Sequence, residues 1–178
     1  MTTGLLLLRL GLATLIFGHG AQKLFGWFGG LGPVGTGVIF EKWGLRPGTR
    51  LVRLAATCEL TSSVVLALGL LTPFGAAVAM GTLAVACSVV APNGLWAQKG
   101  GYELPLVYAG IAAVIAFTGP GRWSLDHAVG LTSLAGNRWG VAVVIVGFVS
   151  AAALSAYARR NRRRHEDALQ TGAGSPTS

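Results

Sequence analysis

The sequence predicts an all-α, polytopic membrane protein with five spanning helices, and three observations predict it. Of 178 residues, 52% are hydrophobic and 11% are charged, whereas soluble domains carry about 25% charged residues. Five apolar stretches approach the roughly 20 residues that a helix needs to cross a bilayer. None shows the alternating pattern of a membrane barrel, and backbone groups in lipid must otherwise bond within a helix.

The first stretch is Leu5–Phe28, with Arg9 inside it. A cleavable signal would carry its basic residues ahead of the apolar run and end in an Ala-x-Ala site, so this helix is expected to remain in the mature protein. Next comes a loop rich in glycine, from Gly26 to Gly37, with Trp27, Phe28, Phe40 and Trp43 as interfacial aromatics; it is expected to fold against the membrane surface. The second stretch, Leu51–Leu71, contains Glu59. A Thr72–Pro73 connection then predicts an antiparallel hairpin with the third, Phe74–Val90. A polar loop follows from Pro92 to Glu103, and Pro105 suits the first turn of a helix. The fourth stretch, Leu104–Phe117, is short and spans only if Tyr102 and Glu103 belong to its first turn. The fifth is Trp139–Tyr157. Beyond it lie Arg159, Arg160, Arg162, Arg163 and Arg164, then a Gly/Ser/Pro/Thr-rich end from Thr171 to Ser178 that is expected to be disordered.

Basic residues set the expected orientation. With the N-terminus outside, eleven of the 14 lysines and arginines fall on one side and three, Arg9, Arg122 and Arg138, on the other. The positive-inside rule then places the first and third loops and the C-terminus in the cytoplasm. The arginine tail reads as a stop-transfer anchor that attracts anionic lipid. Nucleic acid is not an expected partner, because no folded reader domain accompanies the arginines.

A carboxylate at the centre of a spanning helix costs about 2.5–3.5 kcal/mol, so Glu59 calls for a partner or a cavity. At about 1.5 Å per residue, His19 and Glu59 each lie roughly 13 Å from the cytoplasmic ends of their helices and are level with each other. Lys23 is four residues after His19 on the same face, and Gln22 is adjacent. Asn93, Gln98, Tyr102 and Glu103 join from the loop on that side, while Asp126 and His127 belong to the opposite surface. An imidazole exchanges protons, a carboxylate relays them, and a Tyr or Asn hydrogen-bonds a carbonyl oxygen. The set suits a quinone head group, and a proton-coupled carrier nearly as well. The same polar contacts also serve as glue between helices, at about 0.6 kcal/mol on average.

Metal and haem fit less well. His19 and Glu59 make two ligands where zinc takes three or four, and a lone intramembrane His does not supply a bis-His haem. Cys58 and Cys87 form no CxxC motif and read as small packed residues. Gly4, Gly11 and Gly18 recur every seven positions on one helix face. Ala55, Ala56, Ser62, Ser63, Ala76, Ala77, Ala79 and Gly81 line the next two helices, and both sets are expected to pack closely.

Four runs carry a resemblance. Gly18-His19-Gly20-Ala21-Gln22-Lys23-Leu24-Phe25-Gly26-Trp27-Phe28-Gly29-Gly30 comes first and Cys58-Glu59-Leu60 second. Pro92-Asn93-Gly94 through Gln98 continues into Gly100-Gly101-Tyr102-Glu103-Leu104-Pro105-Leu106, and Gly119-Pro120-Gly121-Arg122-Trp123-Ser124-Leu125-Asp126 closes the set. Over about residues 5–126 the chain resembles the DoxX family of small bacterial membrane proteins. The resemblance implies a four-helix membrane bundle associated with redox complexes and thiosulfate and quinone chemistry. The shared positions His19, Gln22, Lys23, Glu59, Asn93 and Glu103 coincide with the polar cluster. The fifth stretch and the arginine tail depart from the family pattern, as does an external N-terminus, since members are drawn with both termini cytoplasmic.

The expected organisation is a DoxX-like four-helix domain over 1–126, a linker at 127–138, an additional spanning helix at 139–158 and a basic, disordered tail at 159–178. The expected location is the bacterial cytoplasmic (inner) membrane. The leading expectation for function is a membrane subunit of a quinone-linked oxidoreductase system. His19 and Glu59 would relay protons, Gln22, Lys23, Asn93, Gln98, Tyr102 and Glu103 would hold the cofactor, and a soluble or membrane redox partner would dock on the loops. A non-catalytic anchor or assembly factor, joined to a larger complex or to a second copy through small-residue faces, is the first alternative. A small-molecule or proton-coupled transporter is the second. No nucleotide-binding or nucleophile-elbow motif stands in a usable context.

Overall fold

Seven helices account for most of the chain in the computed structural model, which describes residues 2–131 and 133–173. They are α1 (Thr2–Phe25), α2 (Gly32–Lys42), α3 (Gly48–Leu68), α4 (Thr72–Val90), α5 (Glu103–Thr118), a single turn α6 (Leu125–Ala128) and α7 (Asn137–Ala173). Among the described residues α1, α3, α4 and α7 are long and apolar enough to cross a membrane, and α5 is a shorter apolar helix. The fold is therefore the expected all-α membrane bundle, and the protein is a multi-pass membrane protein.

Helix α1 packs on α3, α3 on α4, and α4 on α5, which returns to α1 and closes a four-helix ring; α7 lies outside it, along α4 and α5. The core contains Leu12 and Ile16 of α1, Leu66 of α3, Ala79 of α4 and Ala112 of α5, and Val143 of α7 joins it from the outer side, each nearly or fully buried. Large apolar side chains such as Leu7, Leu54, Phe74, Val107 and Phe148 point outward. In water such a surface would drive aggregation; in a bilayer it meets acyl chains.

Small residues decide how closely α7 approaches. A Cβ on Gly147 would stand 2.3 Å from Met80 Cγ, and one on Gly140 would stand 2.3 Å from the Phe117 ring. Close backbone approach replaces the hydrophobic driving force that lipid removes. The expected stripe on α1 behaves differently, because a Cβ at Gly4, Gly11 or Gly18 would meet no heavy atom within 4 Å. That face is turned away from the ring, and the close packing expected there does not occur within this chain.

Several boundaries differ from the sequence reading. The first loop contains α2, packed on α3 where a Cβ on Gly37 would come 2.9 Å from Thr49 N. The hairpin between α3 and α4 turns at Gly69–Leu71, not at Thr72–Pro73, which form the first turn of α4. Gly69 ends α3 in the left-handed region (φ 63°), with its N–H and that of Leu70 returning to the carbonyls of Leu66 and Val65. Helix α5 begins at Glu103, giving 16 residues and about 24 Å. The largest difference is at the C-terminal side. Helix α7 runs unbroken for 37 residues through the whole arginine run to Ala173, so residues 159–173 are helical rather than disordered; residues 174–178 of the expected disordered end lie outside those described.

Candidate functional site: a buried ion pair between α1 and α3

Gly20 brings α1 against α3. A Cβ there would sit 3.0 Å from Leu60 Cγ and 3.3 Å from the Ala56 carbonyl oxygen, so a larger residue would push the helices apart. One turn further along α1, Lys23 Nζ reaches across and forms an ion pair with Glu59 Oε1. The Glu59 side chain is only 7% exposed, and its second oxygen, Oε2, has no hydrogen-bond partner among the described residues. Ser62 and Ser63 do not supply one, because they donate to the carbonyls of Glu59 and Leu60 in their own helix, at 2.9 Å and 2.8 Å. An unsatisfied buried carboxylate oxygen costs on the order of 1–3 kcal/mol. The site therefore holds an acceptor ready for a donor.

His19 is separated from this pair by its direction around α1. It is exposed, and its ring lies 5.9 Å from that of Tyr108 on α5, tilted by 49°. No hydrogen bond or ion pair joins His19 to Glu59 among the described residues. Gln22 donates through Nε2 to the Phe28 carbonyl at 3.3 Å, holding the turn after α1 back against the helix. There a Cβ on Gly30 would lie 2.4 Å from the Gln22 carbonyl oxygen.

The loop before α5 uses its polar residues on itself. Asn93 Nδ2 donates to the Gly100 carbonyl at 3.0 Å, and Glu103 Oε2 accepts from Ala97 N at 2.9 Å. The backbone N–H of Glu103 donates to the Leu95 carbonyl at 2.8 Å. Gln98 is exposed and Tyr102 half-buried. Of the eight sequence candidates, the structure joins Lys23 to Glu59, sets His19 on the adjacent turn of α1, and gives Gln22, Asn93 and Glu103 loop-building contacts. Cys58 and Cys87 are free thiols. Among the described residues no three His, Cys, Asp or Glu side chains gather as a metal site.

A second polar cluster at the opposite end of the bundle went unassigned in the sequence. Arg9, 1% exposed, donates through Nη1 to the Pro120 carbonyl and through Nη2 to the Trp123 carbonyl at 2.6 Å. Asp126, fully buried, accepts from Leu71 N (2.7 Å), Thr72 N (2.9 Å) and Thr72 Oγ1 (2.7 Å). It thus caps the N-terminus of α4 from another segment. Leu71 sits in the left-handed region (φ 47°) with its N–H directed at this carboxylate. Gly69, at φ 63°, suits glycine at that crossing, and a Cβ on it would stand 2.6 Å from Ser124 Cβ. Asp126 had been expected at a surface. The available signal was an arginine inside an apolar helix, which needs a partner as much as Glu59 does.

With both clusters placed, comparison with known families is decisive: the DoxX family model matches residues 4–92, half of the chain. The chain belongs to the DoxX family. No match was found among curated proteins or among solved structures. The DoxX match spans α1 to α4 and so includes Arg9, His19, Lys23 and Glu59. The segment from Asn93 onward, with α5, Asp126 and α7, lies beyond it. Arg9 and Asp126 therefore tie the DoxX-matched helices to the part of the chain that follows them.

Proposed function

We propose that this DoxX protein is a membrane component of a quinone-linked redox system, with the Lys23–Glu59 pair as its proton-handling centre. The observation that supports this reading best is the partnerless Oε2 of Glu59, buried beside Lys23 inside a membrane bundle. A buried carboxylate oxygen without a protein donor is a place where an incoming donor can bind. A quinone, when bound, supplies two-electron chemistry coupled to protons. Lys23 fixes the carboxylate through Oε1. Glu59 Oε2 would accept a hydrogen bond, and on oxidation the proton, from a hydroxyl of the reduced quinol form, and exposed His19, beside Tyr108, would meet a head group entering from the lipid. The two electrons released by the quinol would pass to a soluble or membrane redox partner. This reading places the protein in a bacterial cytoplasmic membrane, with the arginine-bearing end of α7 in the cytoplasm.

The test is extraction of bound quinone from protein purified in mild detergent. Wild type should carry it and Glu59→Gln should lose most of it while remaining folded. Equal quinone content, or none in wild type, would refute the reading. The uncovered face at Gly4, Gly11 and Gly18 supports a second reading, an anchor within a larger assembly. There Gly11→Leu would break co-purification with the partner and Glu59→Gln would be silent.

A further inference from the structure

The cytoplasm-proposed end of α7 is fastened to the first loop by polar contacts. Tyr157 Oη donates to the Arg46 carbonyl, Asn161 Nδ2 to the Gly44 carbonyl at 3.1 Å, and Arg162 to the Trp43 carbonyl through Nε (3.1 Å) and Nη2 (2.8 Å). Gly44 has a positive φ of 83°, and a Cβ on it would lie 2.4 Å from the Ala158 carbonyl oxygen, so helix and loop meet at a glycine. These contacts fix the rotation of α7 about its axis. Positions 158, 161 and 162 face the loop. At about 100° per residue, Arg159, Arg160, Arg163 and Arg164 fall on the opposite arc, and all four are exposed. Asp167, one turn further along that arc, already has a partner.

Depth decides what this arc meets. Trp139 lies near the start of α7, and the 20 steps from it to Arg159 cover about 30 Å, the thickness of the hydrocarbon core. Arg159 to Arg164 then rises about 7.5 Å further, which matches the head-group layer on one side of the bilayer. An acidic protein would have to reach through that layer, whereas lipid phosphates already occupy it. The cluster is also purely arginine, whose planar fork binds phosphate oxygens two at a time where lysine offers a point charge. We propose that Arg159, Arg160, Arg163 and Arg164 form a rigid docking surface for the phosphate groups of anionic lipids, held in register by the Trp43–Arg46 loop.

The experiment uses the full chain in nanodiscs of phosphatidylcholine containing spin-labelled phosphatidylglycerol or spin-labelled phosphatidylcholine, and reads the motionally restricted lipid fraction. Wild type should prefer the anionic lipid several-fold at low salt, less so at high salt. Each arginine removed should take away roughly a quarter of that preference on a logarithmic scale. The R159Q/R160Q/R163Q/R164Q variant should therefore show none. Because removing four charges can disturb insertion, R160Q and R163Q alone should each give a partial loss, and the four-lysine variant should retain charge attraction but bind more weakly than wild type. Wild type without anionic preference, or four-glutamine protein that keeps it, would overturn the proposal. So would wild type that binds an acidic peptide or RNA through these residues while ignoring lipid charge.

Discussion

Replacing Lys23 with Met removes the only partner, among the described residues, of a carboxylate that is 7% exposed and already has one oxygen unsatisfied. Breaking a buried pair from one side typically costs about 3–5 kcal/mol, because the surviving charge stays buried. Total stabilities run to about 5–15 kcal/mol, so this is a large share. Removing the other partner is a different perturbation. The Lys23 side chain is 23% exposed, at the last turn of α1, and its flexible stem can carry the ammonium to the head groups. Glu59→Gln should then cost about 1.5–3 kcal/mol, the value of a lost charged hydrogen bond. The double variant Lys23→Met/Glu59→Leu should be more stable than Lys23→Met alone, since it leaves no buried charge. The assay is reversible unfolding in mixed micelles by SDS titration, followed by tryptophan fluorescence. If both single variants cost the same, close to the average intramembrane value of about 0.6 kcal/mol, and the double is their sum, the argument from a buried carboxylate fails.

Asp126→Ala strands three donors, Leu71 N, Thr72 N and Thr72 Oγ1; at about 1–3 kcal/mol each it should destabilise by 3 kcal/mol or more on that estimate in the same titration, with Asp126→Asn intermediate. Arg9→Lys keeps the charge but not the fork that reaches the Pro120 and Trp123 carbonyls together, and should lower stability by about 1.5–3 kcal/mol. Gly147→Ala should cost about 1–3 kcal/mol by crowding Met80, whereas Gly11→Ala, which meets nothing within the chain, should stay within about 0.5 kcal/mol of wild type. Thermal unfolding of the two glycine variants side by side checks the difference.

Hydropathy alone located the spanning helices, because lipid imposes a length and an apolar composition that few other segments satisfy. It could not locate α2, which is short, rich in glycine and stabilised by packing on α3. Nor could composition end α7, since arginine is a good helix former and the helix continues for 37 residues, about 55 Å, through the arginine run. For the site, depth along an axis was legible but direction around it was not. His19 and Glu59 are level by counting, yet His19 turns toward Tyr108 while Lys23, a turn away, spans the gap to Glu59. A lysine side chain is long enough to cancel one helical turn, which residue counting ignores. Asn93 and Glu103 looked like ligands for the same reason that they make good loop anchors, a polar side chain within reach of the loop's free backbone donors and acceptors. Arg9 was counted as a charge for orientation, and its burial against Pro120 and Trp123 depends on contacts more than a hundred residues apart.

That separation has a consequence for how the molecule is made. The carbonyl of Trp43 waits for Arg162, 119 residues later, and at translation rates of about 5–20 residues per second this is an interval of about 6–24 s. Until then the first loop is unfastened, and once α4 and α5 are in place the face that α7 covers lies open to lipid. A loop early in the chain is thus locked by a helix made more than a hundred residues later, so this contact closes late in assembly.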